Sequence, residues 1–69
     1  MIEVFRTNVE SPGEAALLAG KLAETLPGSR INFDLDDCDR ILRIEAVSVQ
    51  PEDIRRLLSM AGYLCERLE

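Results

Sequence analysis

The chain contains no histidine. That removes the commonest general base and the commonest metal ligand together. It has only two cysteines, Cys38 and Cys65, too few for a disulfide framework. In a reducing compartment both are expected as free thiols. No cluster of Lys and Arg is present and the net charge is −5, so phosphate backbones and anionic membrane surfaces are poor partners. No apolar run approaches the roughly 18–20 residues of a spanning helix. The start MIEVFRTN lacks the basic and apolar regions of a signal peptide. A cytoplasmic location without nucleic acid or membrane partners is the resulting expectation. Repeats, low-complexity stretches and linkers are lacking too.

What is present suits one folded domain over residues 1–69. Apolar residues make up 46% of the chain, which argues against disorder. A core this small supplies about 3–5 kcal/mol of net stability.

The strongest local signals lie between Val9 and Gly28. Ser11 is placed to cap a helix, Pro12 falls at the first helical position, and Glu14 sits three residues after Ser11, as in a capping box. Ala15, Leu18, Ala19, Leu22, Ala23 and Leu26 recur at the spacing of one helix face. Pro27 cannot continue the helix and Gly28 relieves the turn after it. A helix from about Pro12 to Leu26 follows.

Ile2 to Thr7 predicts a strand of ambiguous phase, since Ile2 and Val4 favour one face and Phe5 the other. Ser29 to Leu35 alternates clearly, with Ile31, Phe33 and Leu35 on the apolar side. Asp36, Asp37, Cys38 and Asp39 form a polar turn. Arg40 to Val47 completes a hairpin, with Leu42, Ile44 and Ala46 inward and Ile41, Arg43, Glu45 and Val47 outward. A second helix opens at Pro51, with Glu52 and Asp53 complementing its dipole. Its stripe is Ile54, Leu57, Leu58 and Ala61; Glu52 and Arg56 are spaced for a weak surface pair, and Gly62 ends the helix. Tyr63 to Leu68 has room for one last strand.

The order strand, helix, strand, strand, helix, strand is satisfied by an α+β fold. Expected is a ferredoxin-like two-layer sandwich: a four-stranded antiparallel sheet, order 4-1-3-2, with both helices on one face. The loop before the first helix, the Asp36–Asp39 turn and Gly62-Tyr63 would share one end of it.

With that layout drawn, the chain resembles the heavy-metal-associated domain family of small copper chaperones and metal-pumping ATPase domains. Leu26-Pro27-Gly28, Asn32-Phe33-Asp34-Leu35 and Ala61-Gly62-Tyr63 resemble the family's motifs at the end of the first helix, in the second strand and at the close of the second helix. That family binds a soft metal through Cys-x-x-Cys at the start of the first helix. Counted back from Leu26, those positions fall on Pro12 and Ala15, which cannot bind metal. The resemblance therefore implies a degenerate member that keeps the scaffold and lacks the site.

Two functional expectations follow. The first is a small non-catalytic interaction module without a cofactor. Its contact surface would be the open sheet face, Ile41, Arg43, Glu45 and Val47 with Phe5, meeting another protein or a second copy of itself. Ordinary exposed sheet would look similar. The second is weak Cu or Zn binding at a displaced site of Cys38 with Asp36, Asp37 or Asp39; the carboxylates alone suit a hard cation. An Asp-rich hairpin turn explains the same residues without a metal. Cys65 reads as a packing residue, and Tyr63 as a shield over the helix end. Catalysis has little support, because a nucleophilic cysteine needs a base or a cation beside it and Cys38 has aspartates.

Overall fold

The computed structural model describes residues 1–68. Its elements are β1 (Ile2–Thr7), α1 (Pro12–Thr25), β2 (Arg30–Asp34), β3 (Ile41–Glu45), α2 (Pro51–Met60) and β4 (Cys65–Leu68). The strands form one sheet in the order β2-β3-β1-β4, which is 4-1-3-2 read from the other edge. Every neighbouring pair is antiparallel. Both helices cover the same face. Leu18 and Leu22 of α1 and Ile54 and Leu58 of α2 share one core with Phe5, Leu42 and Ile44 of the two central strands.

α1 starts as its sequence dictates. Ser11 is extended, Pro12 follows, and the Ser11 hydroxyl accepts the Glu14 amide at 3.4 Å. Among the described residues, Glu14 does not return a bond to Ser11, so the capping box is half-made. The helix ends at Thr25, with Leu26 as its cap donating to the Leu22 carbonyl at 2.8 Å. Gly28 then takes φ 81, a left-handed value that glycine adopts without strain. Of the expected stripe, Ala15, Leu18 and Leu22 are buried, Ala19 and Leu26 are half-buried, and Ala23 is in water. α2 starts at Pro51 and gives way to Gly62 at φ 92. Its Glu52 pairs with Arg55 at 3.0 Å rather than with Arg56. Ala61 is exposed at its end, so the inward stripe is Ile54, Leu57 and Leu58.

β1 resolves its phase in favour of Phe5, which is fully buried. Phe5 therefore belongs to the core and not to the open face, correcting the expectation that it joins a contact surface. The physical reason is the central place of β1 between β3 and β4: a central strand buries one complete face, and the bulkiest side chain takes it. Its companions on that face are Glu3 and Thr7, both buried. Glu3 is paired with Arg67 at 2.7 Å, and the Thr7 hydroxyl donates to the Arg40 carbonyl at 2.6 Å. Polar groups buried this way are tolerated because they are bonded. Ile2, Val4 and Arg6 consequently face out.

Candidate functional site

The first candidate lies at one end of the sheet, where β1 leaves for α1 and the β2–β3 turn comes back. The Thr7 amide donates to Asp39 O at 3.1 Å, and the Leu64 amide donates to the Asn8 side chain at 2.8 Å. The pre-helix loop, the acidic turn and the chain after α2 therefore meet here. Tyr63 is half-buried against the core, beside Leu18 and Lys21 of α1.

In the acidic turn, one ligand atom from each of Asp37, Cys38 and Asp39 lies within 4.8 Å of the others. Asp36 stands outside this group. The connection spans 35–40, longer than the four-residue turn expected, because Leu35 and Arg40 leave the strands. Its geometry is set by its own side chains. Asp37 Oδ1 accepts the Asp39 amide at 2.8 Å, the local turn bond that aspartate favours. Arg40 adopts φ 48, a left-handed value uncommon for a residue with a side chain. From there its guanidinium donates to the carbonyls of Asp37 and Cys38 at 3.3 and 3.4 Å, and sits 3.8 Å from the Glu10 carboxylate. A cation of the chain itself thus lies against this turn. The sequence pattern marked the aspartates but not Arg40, whose role depends on a backbone conformation that no local motif signals.

The start of α1 holds Pro12 and Ala15 where the resemblance places metal-binding cysteines. Ala15 is 7% exposed and packs into the core. The first turn of this helix is thus a cap and a packing surface.

Cys38 is exposed and Cys65 is buried, both as free thiols. Burial pushes the Cys65 thiol up to about 11, against an opposing pull from Arg55. It is a protonated packing residue at neutral pH.

The second candidate is the open sheet face. The register places Asn32, Arg43, Val4 and Leu68 in one row across the four strands, and Asp34, Ile41, Arg6 and Glu66 in the next. At the far end Arg30, Glu45 and Ile2 form a shorter row. Arg6 and Glu66 are bonded at 2.6 Å. The apolar part is therefore Ile2, Val4, Ile41 and Leu68, set among charges. Ile41, Arg43 and Glu45 lie on this face as expected from the alternation. Val47 does not: β3 stops at Glu45, and Val47 stands in a bend, 97% exposed. Ile2, Val4 and Leu68 escaped sequence reasoning because the faces of the first and last strands are not fixed by their own residues.

Among the described residues, no helix is long and apolar enough to cross a membrane. No protein-family model, curated protein or solved structure matches this chain.

Proposed function

We propose that this chain is a small, cytoplasmic, non-catalytic interaction module, built on a ferredoxin-like scaffold of the heavy-metal-associated type that lacks the metal-binding cysteine pair. The observation that supports it is the start of α1, where Ser11 caps the helix and Pro12 and a buried Ala15 occupy the positions at which the resemblance implies thiols. The partner is another protein, met through the open sheet face. Ile2, Val4, Ile41 and Leu68 supply apolar contact, and Arg43 and Glu45 give it polarity. No cofactor is required.

The second reading, weak Cu or Zn binding, draws on the proximity of Asp37, Cys38 and Asp39 within 4.8 Å. One thiolate and two exposed carboxylates make an incomplete set for a soft metal, which favours thiolates and imidazoles. Titrating the reduced protein with Cu(I) and with Zn(II) against a competing chelator separates the two readings. The interaction-module reading expects the chelator to keep the metal. Tight stoichiometric binding overturns it, and loss of that binding in Cys38→Ser would assign the metal to the turn.

A further inference from the structure

We propose that two copies of this chain associate by pairing their β2 edges antiparallel about a two-fold axis through Asn32, forming a continuous eight-stranded sheet. The pairing uses the backbone of a sheet edge and is independent of the metal reading; its Arg30, Asn32 and Asp34 side chains border the open face.

Among the described residues, β2 is bonded to β3 on one side alone. Which of its backbone groups are free follows from the register. The Met1 amino group donates to Ala46 O, and the Ala46 amide donates back to Met1 O at 2.9 Å. That exchange marks Met1 and Ala46 as a hydrogen-bonded pair of the β1–β3 ladder. Bonding direction alternates along a strand, so Ile44 and Leu42 also turn toward β1, while Glu45, Arg43 and Ile41 turn toward β2. Their partners are Arg30, Asn32 and Asp34. The backbone groups of Ile31 and Phe33 therefore point out of the sheet, available to another strand.

The segment Arg30-Ile31-Asn32-Phe33-Asp34 is complementary to itself when reversed. An axis through Asn32 places Ile31 opposite Phe33 of the second copy, and both of these residues present outward backbone groups. Each such pair exchanges two bonds, and the symmetry makes the pair twice. The same axis places Arg30 opposite Asp34 of the second copy, again twice, with Asn32 opposite Asn32 between them. Opposite charges directly across an antiparallel pair attract and like charges repel. Shifting the register by one residue would set free backbone groups against groups already bonded to β3.

On the helix side, the edge is flanked by an open groove of about 310 Å³ lined by Ala15, Ala16, Ala19, Ile31, Phe33 and Leu35. It would receive the Ile31 and Phe33 side chains of the second copy, and its alanines leave room for that copy's α1. The interface is isologous and closes on itself, so it stops at a dimer.

The other edge lacks this property. β4 runs Cys65-Glu66-Arg67-Leu68. A two-fold axis through either middle residue would set Glu66 against Glu66 or Arg67 against Arg67. Inhibitory charges of this kind are how exposed edges avoid pairing. The contrast between a self-repelling β4 and a self-matching β2 points to a second copy as the occupant.

Sedimentation velocity and light scattering on the whole chain, from micromolar to millimolar, test this. A reversible dimer is expected. Arg30→Asp turns both cross-copy pairs repulsive and should weaken the dimer by about tenfold or more. Adding Asp34→Arg restores opposite charges and should recover it. Asn32→Lys sets two ammonium groups on the axis and should also weaken it. Far-UV circular dichroism checks the fold of each variant. In a Cys38→Ser background, Asn32→Cys should cross-link on mild oxidation faster than the exposed control Ser59→Cys, because residues at a non-bonded antiparallel pair have alpha carbons about 4.5 Å apart. This last measurement stands whether or not the charge variants fold. A chain monomeric at every concentration overturns the proposal. So does a dimer indifferent to Asn32→Lys and Arg30→Asp, one that the charge swap fails to restore, or an Asn32→Cys variant that cross-links no faster than the control.

Discussion

Raising the pH should destabilise this protein through one buried thiol. Cys65 opens β4 opposite Thr7 and is 9% exposed, within the core. Burial penalises its thiolate and lifts its pKa from 9.0 to about 11. The unfolded chain, by contrast, ionises freely once the pH passes 9. The protonated thiol is the form the fold prefers, so the stability it lends is whole below pH 9. It then declines as the pH rises toward 11, because the unfolded state sheds its proton first. Each unit of difference is worth about 1.4 kcal/mol, so the loss by pH 10.5 is about 2 kcal/mol. Against a net stability of about 3–5 kcal/mol for a core this size, that is a large share. Urea unfolding of the wild type and Cys65→Ala, at pH 8 and at pH 10.5, measures it. The alanine variant starts weaker from lost packing but should lose about 2 kcal/mol less between the two pH values. Whatever else changes between the two pH values acts on both proteins and cancels in the difference. Equal losses in the two proteins would refute the assignment of Cys65 to a protonated core position.

The phase of β1 predicts a sharp contrast between neighbours. Val4→Lys, on the open face, should leave thermal unfolding within a few degrees of wild type. Phe5→Ala, at a fully buried site, should cost about 3–5 kcal/mol and leave little folded protein at room temperature by circular dichroism. The buried ion pair predicts an asymmetry. Arg67→Ala strands a Glu3 side chain that is 8% exposed, whereas Glu3→Gln frees an Arg67 that is half in water. In chemical denaturation the arginine variant should lose about 1–3 kcal/mol and the glutamine variant less.

The helices and their limits were legible because their signals are local. Ser11 and Pro12 start one, Pro51 starts the other, and Gly28 and Gly62 take the left-handed conformations that end them. The hairpin faces were legible because Ile31 and Phe33, and Leu42 and Ile44, alternate with polar residues. β1 was not, because its buried face carries Glu3 and Thr7 around a single Phe5. A polar residue is acceptable there only through a partner elsewhere: Arg67 for Glu3, across the β4 neighbour, and the Arg40 carbonyl for Thr7. Neither partner is visible in a six-residue window. The extent of β3 was overestimated for a similar reason. Val47 has strand propensity, but no strand lies beside it after Glu45, and propensity without a partner does not make a ladder.

In the acidic turn, magnitudes bear on the two functional readings. Its internal bonds are individually weak. The Asp37 side-chain bond to the Asp39 amide contributes about 0.5–1.5 kcal/mol, and an exposed ion pair such as Arg40 with Glu10 contributes about 0–1 kcal/mol. A soft-metal site with a full ligand set contributes about 10–16 kcal/mol, enough to pull such a turn into any geometry it required. The contacts of Arg40 therefore cannot be what decides against a metal; a complete site would displace them. Ligand number decides. Within the turn there is one thiol, the chain has no histidine, and its other thiol is buried in β4. A second thiolate would have to come from the start of α1, where the resemblance implies the family's pair. Ala15 there is turned into the core, and Pro12 supports the helix cap. The residues that make α1 a well-terminated helix are the same ones that leave the turn without a second sulfur, so the stability of this small fold and its expected lack of tight metal affinity have one structural origin.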